Sequence, residues 1–327
     1  MTRREFAEIL QAFIDRHDRI ILSGHVRPDG DSIGACVAMG LALQRQGKYP
    51  MIYYEGDTAR YGWIEQSLPV LDSESLCKAT CGRFAWMMID CAEPARTGDA
   101  AVCANLAEET LCIDHHVVRT EYADFNWIRS DATSASQVIY ELFQELQYPI
   151  DRAEATALFT GIAFDTGGFR HSSMTPEIFR IAGDLADRGV DITGIMNGLF
   201  HTRRFVEERV LGAVLRKASL HYGQIVLSAM DARDFAAAGG TSDDSEGAVA
   251  LLAETAEAEA AVFLRELQPG LIRVNMRSKQ YIDVAQAARA FGGGGHVRAA
   301  GCTIAAPMLL AQQQVLEELR KQLPEEK

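Results

Sequence analysis

Three side chains that could bind a metal ion lie close together near the start of the chain: His25, Asp29 and Asp31. The apolar residues 20–22 precede them and predict a buried strand, and small and apolar residues at helical spacing follow them. We therefore expect the segment 25–31 to be a turn at the carboxyl end of a strand, where open α/β sheets bind ligands. Imidazole and carboxylate ligands together favour a divalent ion such as Mn²⁺.

Further ionisable side chains follow other predicted elements. They are Asp90 after the apolar segment 84–89, Asp114, His115 and His116 after the segment 110–113, and Asp165 where a glycine pair ends a predicted helix. Each motif alone is weak, and an aspartate at a strand end often only caps the next helix. Taken together, we expect these residues to share one rim with the first three.

The charge of this set favours two metal ions over one. Asp29, Asp31, Asp90 and Asp165 bring four negative charges, which two divalent cations would neutralise, and one carboxylate could bridge the two ions. Two ions about 3.5–4 Å apart can generate hydroxide near neutral pH and stabilise the leaving oxygen of a phosphoryl displacement. Asp114 suits a hydrogen-bond acceptor that fixes the tautomer of a neighbouring histidine.

The elements that must position these residues alternate between strands and helices. This alternation predicts an α/β fold with a doubly wound, mostly parallel sheet. From about residue 219 the pattern changes to a smaller α+β domain. We predict a catalytic domain over 1–190, a linker with a helix over 191–218, and a second domain over 219–327.

The composition is that of a globular protein, and it excludes some functions. The net charge of −13 argues against binding of long nucleic acid, because that affinity comes mainly from clustered Lys and Arg. The N-terminal residues carry charges throughout, and no run approaches the roughly 18 apolar residues of a membrane span. We therefore expect a cytoplasmic protein without a membrane partner. Seven scattered cysteines without a CxxC pair indicate neither a zinc site nor a disulfide framework.

The predicted second domain contains a local basic cluster. Between residues 271 and 300 five basic residues, Arg273, Arg277, Lys279, Arg289 and Arg298, stand against the single acid Asp283. The four glycines 292–295 before His296 could expose backbone amides and let an anion approach closely, although a glycine run can also be only a flexible loop. We expect a small anionic substrate to be held here.

These motifs, in this order, resemble the DHH/DHHA1 phosphoesterase family, and within it the short oligoribonuclease and pAp phosphatase members known as nanoRNases. The segments that carry the resemblance are His25-Val-Arg-Pro-Asp-Gly-Asp-Ser32, Asp90, Asp114-His115-His116, Phe164-Asp165-Thr-Gly167 and Gly292-Gly-Gly-Gly-His-Val-Arg-Ala-Ala-Gly301. The resemblance covers essentially the whole chain, and no ligand position departs from it.

The resemblance implies two Mn²⁺ ions and a substrate cleft between the two domains. The implied metal ligands are His25, Asp29, Asp31, Asp90, His115 and Asp165, with Asp90 as the bridge. Asp90, His116 and Asp114 are the implied catalytic residues, His116 lying beside the substrate phosphate. The implied substrate-binding residues are Arg277, Ser278, Gly293, Gly294, Gly295, His296 and Arg298. The implied substrates are RNA dinucleotides, cleaved to 5′-mononucleotides, and pAp, cleaved to AMP and phosphate.

Several alternatives remain open at this point. Within the same family, the main alternative function is that of a phosphodiesterase for cyclic dinucleotides. An exonuclease for single-stranded DNA and a metal-dependent pyrophosphatase are further alternatives. Gly30-Asp-Ser32-Ile-Gly34 also matches a serine-hydrolase elbow, although Ser32 is explained more simply as a helix cap. A non-catalytic nucleotide sensor would have damaged ligand positions. A homodimer is also left open, and His171 either lines the cleft or packs.

Overall fold

The computed structural model describes residues 1–91, 93–98, 100–116, 122–170 and 174–324. The chain divides into two compact units, unit 1 (Met1–Thr202) and unit 2 (Arg203–Lys327). Unit 1 contains a parallel sheet with helices and unit 2 a mixed sheet with helices, which confirms the predicted fold class. His171, which the sequence left between two roles, lies outside the described residues.

The described part of unit 1 contains a six-stranded sheet in which every neighbouring pair of strands is parallel. The strands are β1 (Arg19–Ser23), β2 (Tyr49–Tyr53), β3 (Val70–Leu71), β4 (Ala85–Ile89), β5 (Thr110–Asp114) and β6 (Phe125–Ile128), in the order β3-β2-β1-β4-β5-β6. The helices are α1 (Arg3–Arg16), α2 (Gly30–Arg45), α3 (Ser73–Ala79), α4 (Ala100–Ala104), α5 (Ala135–Glu145), α6 (Arg152–Asp165), α7 (Pro176–Asp187) and α8 (Ile192–Phe200).

The order of strands reverses between β1 and β4. The chain leaves β1 towards β2 and β3, and then returns to place β4 on the other side of β1. All five residues of β4 are buried, and Trp86 within it donates its indole N–H to Ser23 Oγ at 2.7 Å. The carboxyl ends of β1 and β4 therefore open a crevice, which is the position where doubly wound sheets bind ligands.

Helices α2 and α6 pack in unusually close contact on this sheet. Gly34 of α2 faces α6 at a point where an added Cβ would overlap the carbonyl oxygen of Ala157. Small residues let two helix backbones approach closely, so Gly34 is required by packing rather than by flexibility. This contact fixes Asp31, at the start of α2, relative to Asp165, at the end of α6.

The described part of unit 2, residues 203–324, contains a second six-stranded sheet. Its strands are β7 (Ser219–His221), β8 (Ile225–Met230), β9 (Ala260–Gln268), β10 (Leu271–Ser278), β11 (Gly294–His296) and β12 (Ala299–Ala305), in the order β11-β12-β10-β9-β8-β7. The β8–β9 pair is parallel and the other pairs are antiparallel. The helices are α9 (Phe205–Arg216), α10 (Ala232–Ala238), α11 (Ala248–Ala253), α12 (Val284–Arg289) and α13 (Met308–Arg320).

Two hydrophobic clusters lie on the two faces of this second sheet. One contains apolar residues of α12 and α13, and the other contains those of α9, α10 and α11. The segment 191–218, predicted as a linker with a helix, holds α8 at the end of unit 1 and α9 at the start of unit 2.

The glycine run differs from the open loop that the sequence suggested. Gly294–His296 form the edge strand β11, which pairs with β12 in an antiparallel hairpin. An added Cβ on Gly293 would lie 2.5 Å from the Cβ of Cys302, and one on Gly295 would lie 2.5 Å from the carbonyl oxygen of Ala299. The run is therefore required in part because β11 lies so close to β12. Gly294 has open space around it and is exposed.

Candidate functional site

The predicted ligands of unit 1 come mainly from the ends of four elements around the crevice. His25 and Asp29 follow β1, Asp90 follows β4, and Asp165 is the last residue of α6. Asp114 ends β5 and is followed directly by the two histidines 115 and 116. The parallel strand order brings residues that are far apart in the chain to the same edge of the sheet.

These residues form three overlapping clusters in which the potential ligand atoms lie within 4.8 Å of one another. The clusters share members, so they form one continuous site. They are His25, Asp29 and Asp90; Asp31, His115 and Asp165; and Asp90, Asp114, His115 and His116.

Asp90 lies between the two histidines that face the centre of the site. Its Oδ2 is 3.5 Å from His25 Nε2, and its Oδ1 is 3.5 Å from His115 Nε2. His25 Nε2 is also 3.3 Å from Asp29 Oδ2, whereas His115 Nε2 is 3.1 Å from Asp165 Oδ2 and 3.8 Å from Asp31 Oδ2. Each oxygen of Asp90 thus faces a different group of carboxylate and imidazole ligands.

The electrostatics of the site show that it needs added positive charge. Burial, together with the nearby carboxylates of Asp165 and Asp90, raises the pKa of Asp31 well above its usual range. Burial alone would lower the pKa of the two central histidines, but hydrogen bonds to the aspartates outweigh it. The pKa of His25 rises to about 10 and that of His115 to about 11.

The residues present fit divalent metal ions. Asp90 is buried, and its Oδ1 has no hydrogen-bond partner among the described residues. In the same part of the chain neither Asp29, Asp31 nor Asp90 pairs with a Lys or Arg, so protons on the histidines are the positive charges that face them. A buried carboxylate oxygen without a partner is costly unless a cation binds it.

Backbone and side-chain contacts orient the first cluster. His25 Nδ1 lies 2.9 Å from the carbonyl oxygen of the next residue, Val26. This contact leaves Nε2 facing Asp29 and Asp90. Asp29 Oδ1 accepts the backbone N–H groups of Asp31 and Ser32, at 3.0 and 3.1 Å, and so caps α2. Its Oδ2 remains directed at His25. Asp90 has a left-handed backbone (φ 58°), a strain often found at functional sites.

Asp31 has a second role that the sequence did not indicate. It is fully buried, and its two oxygens accept the backbone N–H groups of Ala135 and Ser136, at 2.6 and 2.9 Å. These groups lie at the start of α5, where backbone N–H groups have no partner within the helix. Asp31 therefore joins the start of α2 to the start of α5 as well as facing the site.

Asp114 orients His116. Its Oδ1 accepts the backbone N–H groups of His115 and His116, at 2.6 and 3.1 Å, and also contacts His116 Nδ1 at 2.8 Å. Burial would raise the pKa of Asp114, but these hydrogen bonds outweigh it and lower the pKa. The side chain of His116 is 40% exposed, so its Nε2 is turned to the open side of the site.

The suggestion that Ser32 caps the helix is wrong. Asp29 is the cap, and Ser32 lies inside α2 with its side chain fully buried against Gly24. A nucleophilic serine must be exposed to its substrate. The structure therefore does not support the serine-hydrolase alternative.

In unit 2 the strand register places several predicted substrate-binding residues on one face of the sheet. Arg277 and His296 both lie opposite Ala299 of β12, so their side chains share a face, because directly paired residues in antiparallel strands point the same way. Asn275 and Gly294 lie opposite Gly301 in the same way. We call this surface the Arg277 face.

A pocket of about 580 Å³ lies on the Arg277 face. Its lining includes Phe263, Arg265, Asn275 and Arg277 of the sheet, together with Asp243 and residues 245–250. Asn275 and Arg265 were not predicted from the sequence. Asn275 lies two residues before Arg277 on β10, so the alternation of a strand could have placed it on this face. Arg265 of β9 lies directly opposite Arg273 of β10, a register that only the structure shows. A larger pocket, of about 680 Å³, lies against Trp63 and Arg152 at the other end of α6 from Asp165, so cavity size does not locate the metal cluster.

Ser278 and Arg298 have partners within unit 2. Ser278 Oγ donates to the carbonyl oxygen of Ile282 at 2.6 Å, and Arg298 Nη1 donates to the same oxygen at 2.7 Å. Arg298 also donates to the carbonyl oxygen of Gln280. These bonds hold the turn after β10, while the predicted contact of both residues with substrate stays a prediction.

None of the described helices is both long and apolar enough to cross a membrane.

Comparison with known proteins agrees with the motifs. Residues 19–162 match the model of the DHH family, N-terminal domain, and residues 223–325 match the DHHA1 domain. The chain is 30% identical over 324 residues to the bifunctional oligoribonuclease and PAP phosphatase NrnA of Thermus thermophilus, covering 98% of this chain and 94% of the relative. It is 28% identical over 295 residues to the protein of the same name from Bacillus subtilis, covering 89% and 91%. The fold matches that of an exopolyphosphatase-related protein from Bacteroides fragilis, with a TM-score of 0.86 at 23% identity over 96% and 95% of the two chains.

Proposed function

The chain belongs to the DHH family, whose members are hydrolases, and we propose that it is a metal-dependent phosphoesterase for very short RNA and for pAp. Dinucleotides would yield 5′-mononucleotides, and pAp would yield AMP and phosphate. The names of the two bacterial relatives, which this chain matches over nearly its whole length, support these substrates. We propose unit 1 as the catalytic domain and unit 2 as the substrate-binding domain.

The observation that carries this proposal is the position of Asp90 between two groups of ligands. His25 and Asp29 face its Oδ2, while His115 faces its Oδ1. We assign one divalent ion to His25, Asp29 and Asp90, and a second to Asp31, Asp90, His115 and Asp165. Oxygen and imidazole ligands of this kind suit Mn²⁺. Two such ions, when bound, would activate a water and neutralise charge on the phosphoryl oxygens.

The residues of the chain itself would position and protonate the substrate. The contact of His116 Nδ1 with Asp114 leaves Nε2 free to carry a proton on the exposed side of the site. We propose that His116 donates this proton, or a hydrogen bond, to the oxygen that leaves phosphorus. Asp114 would keep the imidazole ring oriented.

We propose that the Arg277 face holds the terminal phosphate or base of the nucleotide. Arg277 is exposed, and the one hydrogen bond of its guanidinium among the described residues goes to the Met276 carbonyl oxygen at 3.4 Å, which leaves most of its donors available. His296 and the open position of Gly294 lie on the same face. Because the chain is acidic overall, this basic face favours a short anion over a long strand.

The experiment that tests this function is turnover of a matched set of substrates by the full chain. The set is a 5′-phosphorylated RNA dinucleotide, a long single-stranded RNA, pAp, cyclic di-AMP and pyrophosphate, each with Mn²⁺ and with a chelator. We expect cleavage of the dinucleotide and of pAp with metal only. Preference for cyclic di-AMP would instead assign the chain to the cyclic-dinucleotide phosphodiesterases, and no turnover of any substrate would overturn an enzymatic role.

A further inference from the structure

A set of contacts in unit 1 links the turn that follows Asp165 with the segment that contains Arg60 and Tyr61. The contacts run from Gly167 and Arg170 over the end of α8 to Arg60. The central members of this set are two arginines, each of which lies over an aromatic ring. We call these four residues, Arg60, Tyr61, Arg170 and Phe200, the aromatic–arginine rim.

The half of the rim next to Asp165 depends on a tight reversal of the chain. Gly167, Gly168 and Phe169 all have left-handed backbones, with φ of 58°, 69° and 63°. Arg170 then turns back so that its Nε donates to the carbonyl oxygen of Gly167 at 2.8 Å, and its Cζ lies 5.9 Å from the ring centre of Phe200.

Phe200 also packs beneath this reversal. An added Cβ on Gly168 would lie 3.3 Å from its ring atom Cε2. The ring therefore supports both the glycine turn and the guanidinium of Arg170, which follows Asp165 closely in the chain.

The other half of the rim lies next to Asp29. Tyr61 is 2% exposed, and it lies shortly after Gly56, where an added Cβ would lie 2.8 Å from Cδ of Pro28, the residue before Asp29. Arg60 lies over the ring of Tyr61, with its Cζ 5.2 Å from the ring centre. Its Nη2 donates to the carbonyl oxygen of Leu199 at 3.2 Å, so Arg60 and Arg170 contact neighbouring residues at the end of α8.

Both guanidinium groups are exposed, and among the described residues neither forms an ion pair with a carboxylate. A structural explanation is that cations stabilise the C-terminal end of a helix and its unpaired carbonyl groups. That explanation accounts for one N–H donor of Arg60. It does not account for the rings of Tyr61 and Phe200 that lie under the two guanidinium groups. Both arginines remain exposed to solvent.

Arginine stacked on an aromatic ring is well suited to binding nucleic acid. The guanidinium edge can donate two parallel hydrogen bonds to a phosphate, while its flat face and the ring can stack with a base. Channels for single-stranded nucleic acid combine the same two features.

We propose that the aromatic–arginine rim binds the phosphate and base of a third nucleotide, on the 3′ side of the cleaved phosphate. This inference rests on the proposed function, which places the cleaved phosphate at the metal ligands and the terminal phosphate or base at the Arg277 face. A dinucleotide or pAp has no phosphate left for the rim. The rim would therefore set how strongly the enzyme prefers RNA of three or more nucleotides over a dinucleotide.

The test compares kcat/KM for a 5′-phosphorylated dinucleotide and trinucleotide of the same base, in the wild type, Arg60→Ala and Arg170→Ala. We expect each variant to lose about tenfold on the trinucleotide, the order of one stacked base or phosphate contact, and less than about twofold on the dinucleotide and pAp. Arg170→Lys, which keeps the charge but not the planar group, should recover only part of the loss. Arg180→Ala, an exposed arginine on α7, is the matched control.

Thermal unfolding of each variant separates binding from a structural role. If Arg60 and Arg170 only stabilise the end of α8, the variants will lower Tm and reduce turnover of all substrates by the same factor, which would overturn the proposal while leaving the proposed function intact. If the wild type cleaves neither oligonucleotide, the proposed function itself fails. A trinucleotide-specific loss with an unchanged dinucleotide rate supports the rim.

Discussion

Gly161 of α6 packs directly against Asp31 of α2. An added Cβ at position 161 would lie 2.5 Å from Asp31 Oδ1, and it would lie closer still to Ser136 Oγ of α5. Asp31 is therefore held between α6 on one side and the backbone N–H groups at the start of α5 on the other. No space remains for its carboxylate to shift without breaking one of these contacts.

This contact predicts that Gly161→Ala disturbs the metal cluster although residue 161 is not a ligand. We expect a loss of about 1–3 kcal/mol in unfolding free energy from overpacking, and at least about tenfold weaker Mn²⁺ binding, because Asp31 must move. Calorimetric titration with Mn²⁺ and thermal unfolding measure the two effects. Gly183→Ala on α7, where an added Cβ meets nothing within 4 Å, should leave metal binding unchanged. Wild-type metal affinity in Gly161→Ala would contradict this assignment.

Asp90 and Asp31 should differ in what they do for the metal-free fold. Asp90→Asn should abolish the stabilisation on adding Mn²⁺, which is about 2.7 kcal/mol at a hundredfold excess over Kd, while the metal-free Tm stays close to that of the wild type. The reason is that removing the charge of Asp90 weakens its contacts with His25 and His115 but also relieves its repulsion of the Asp31 and Asp165 carboxylates, so the two effects oppose each other.

In Asp31→Asn the stabilisation on adding Mn²⁺ should be lost, and the Tm without metal should also fall. The amide NH₂ of asparagine would face a backbone N–H at the start of α5, so one buried donor loses its acceptor, at a cost of about 1–3 kcal/mol. Differential scanning calorimetry with and without a chelator measures both variants. Equal metal-free Tm values for the two would show that the α5 contact of Asp31 contributes little.

His116→Ala should reduce turnover of RNA dinucleotide by about 10² to 10⁴-fold, the usual range for loss of a general acid. Metal content, measured by elemental analysis, should not change. The loss should be much smaller for a nucleotide 4-nitrophenyl ester, because 4-nitrophenolate leaves without a proton. His221→Ala in unit 2 serves as the control. An equal loss on both substrates would indicate that His116 orients the site instead of supplying a proton.

Arg277 and Arg298 should behave differently although both belong to the same basic cluster. Arg277→Ala should raise KM about 10- to 100-fold through a lost charged hydrogen bond, with metal content and Tm unchanged. Arg298→Ala should mainly lower Tm, since the carbonyl oxygen of Gln280 loses the arginine donor and that of Ile282 keeps only Ser278 Oγ. Steady-state kinetics beside thermal unfolding distinguish the two. Loss of metal in Arg277→Ala would contradict the assignment of unit 2 to substrate binding.

The fold of unit 1 could be predicted because its buried strands are apolar runs that end at ionisable residues. The sequence predicts strands over residues 84–89 and 110–113, and β4 and β5 lie within one residue of these bounds. β3 has two residues and β6 has four, too short for a periodic pattern. The same order of strands and ionisable residues made it possible to predict that these side chains lie close together.

Other parts of the site depend on contacts that no local pattern specifies. The cap of α2 is Asp29 and not Ser32, because Gly24 lies against Ser32 and α2 begins two residues before it. β11 forms because glycines let it lie close to β12. Arg60 contacts Leu199 and Arg170 contacts Phe200 at the end of α8, a part of the chain far from Arg60 in sequence.

The wide spacing of the site residues has a consequence for biosynthesis. The three clusters contain residues that follow β1, β4 and β5 and the last residue of α6. His25 is therefore synthesised long before Asp165, although both belong to the same site. A nascent polypeptide on the ribosome cannot assemble all three clusters until α6 has emerged from the exit tunnel and packed on α2. Binding of the two proposed metal ions would then follow translation of the first half of the protein.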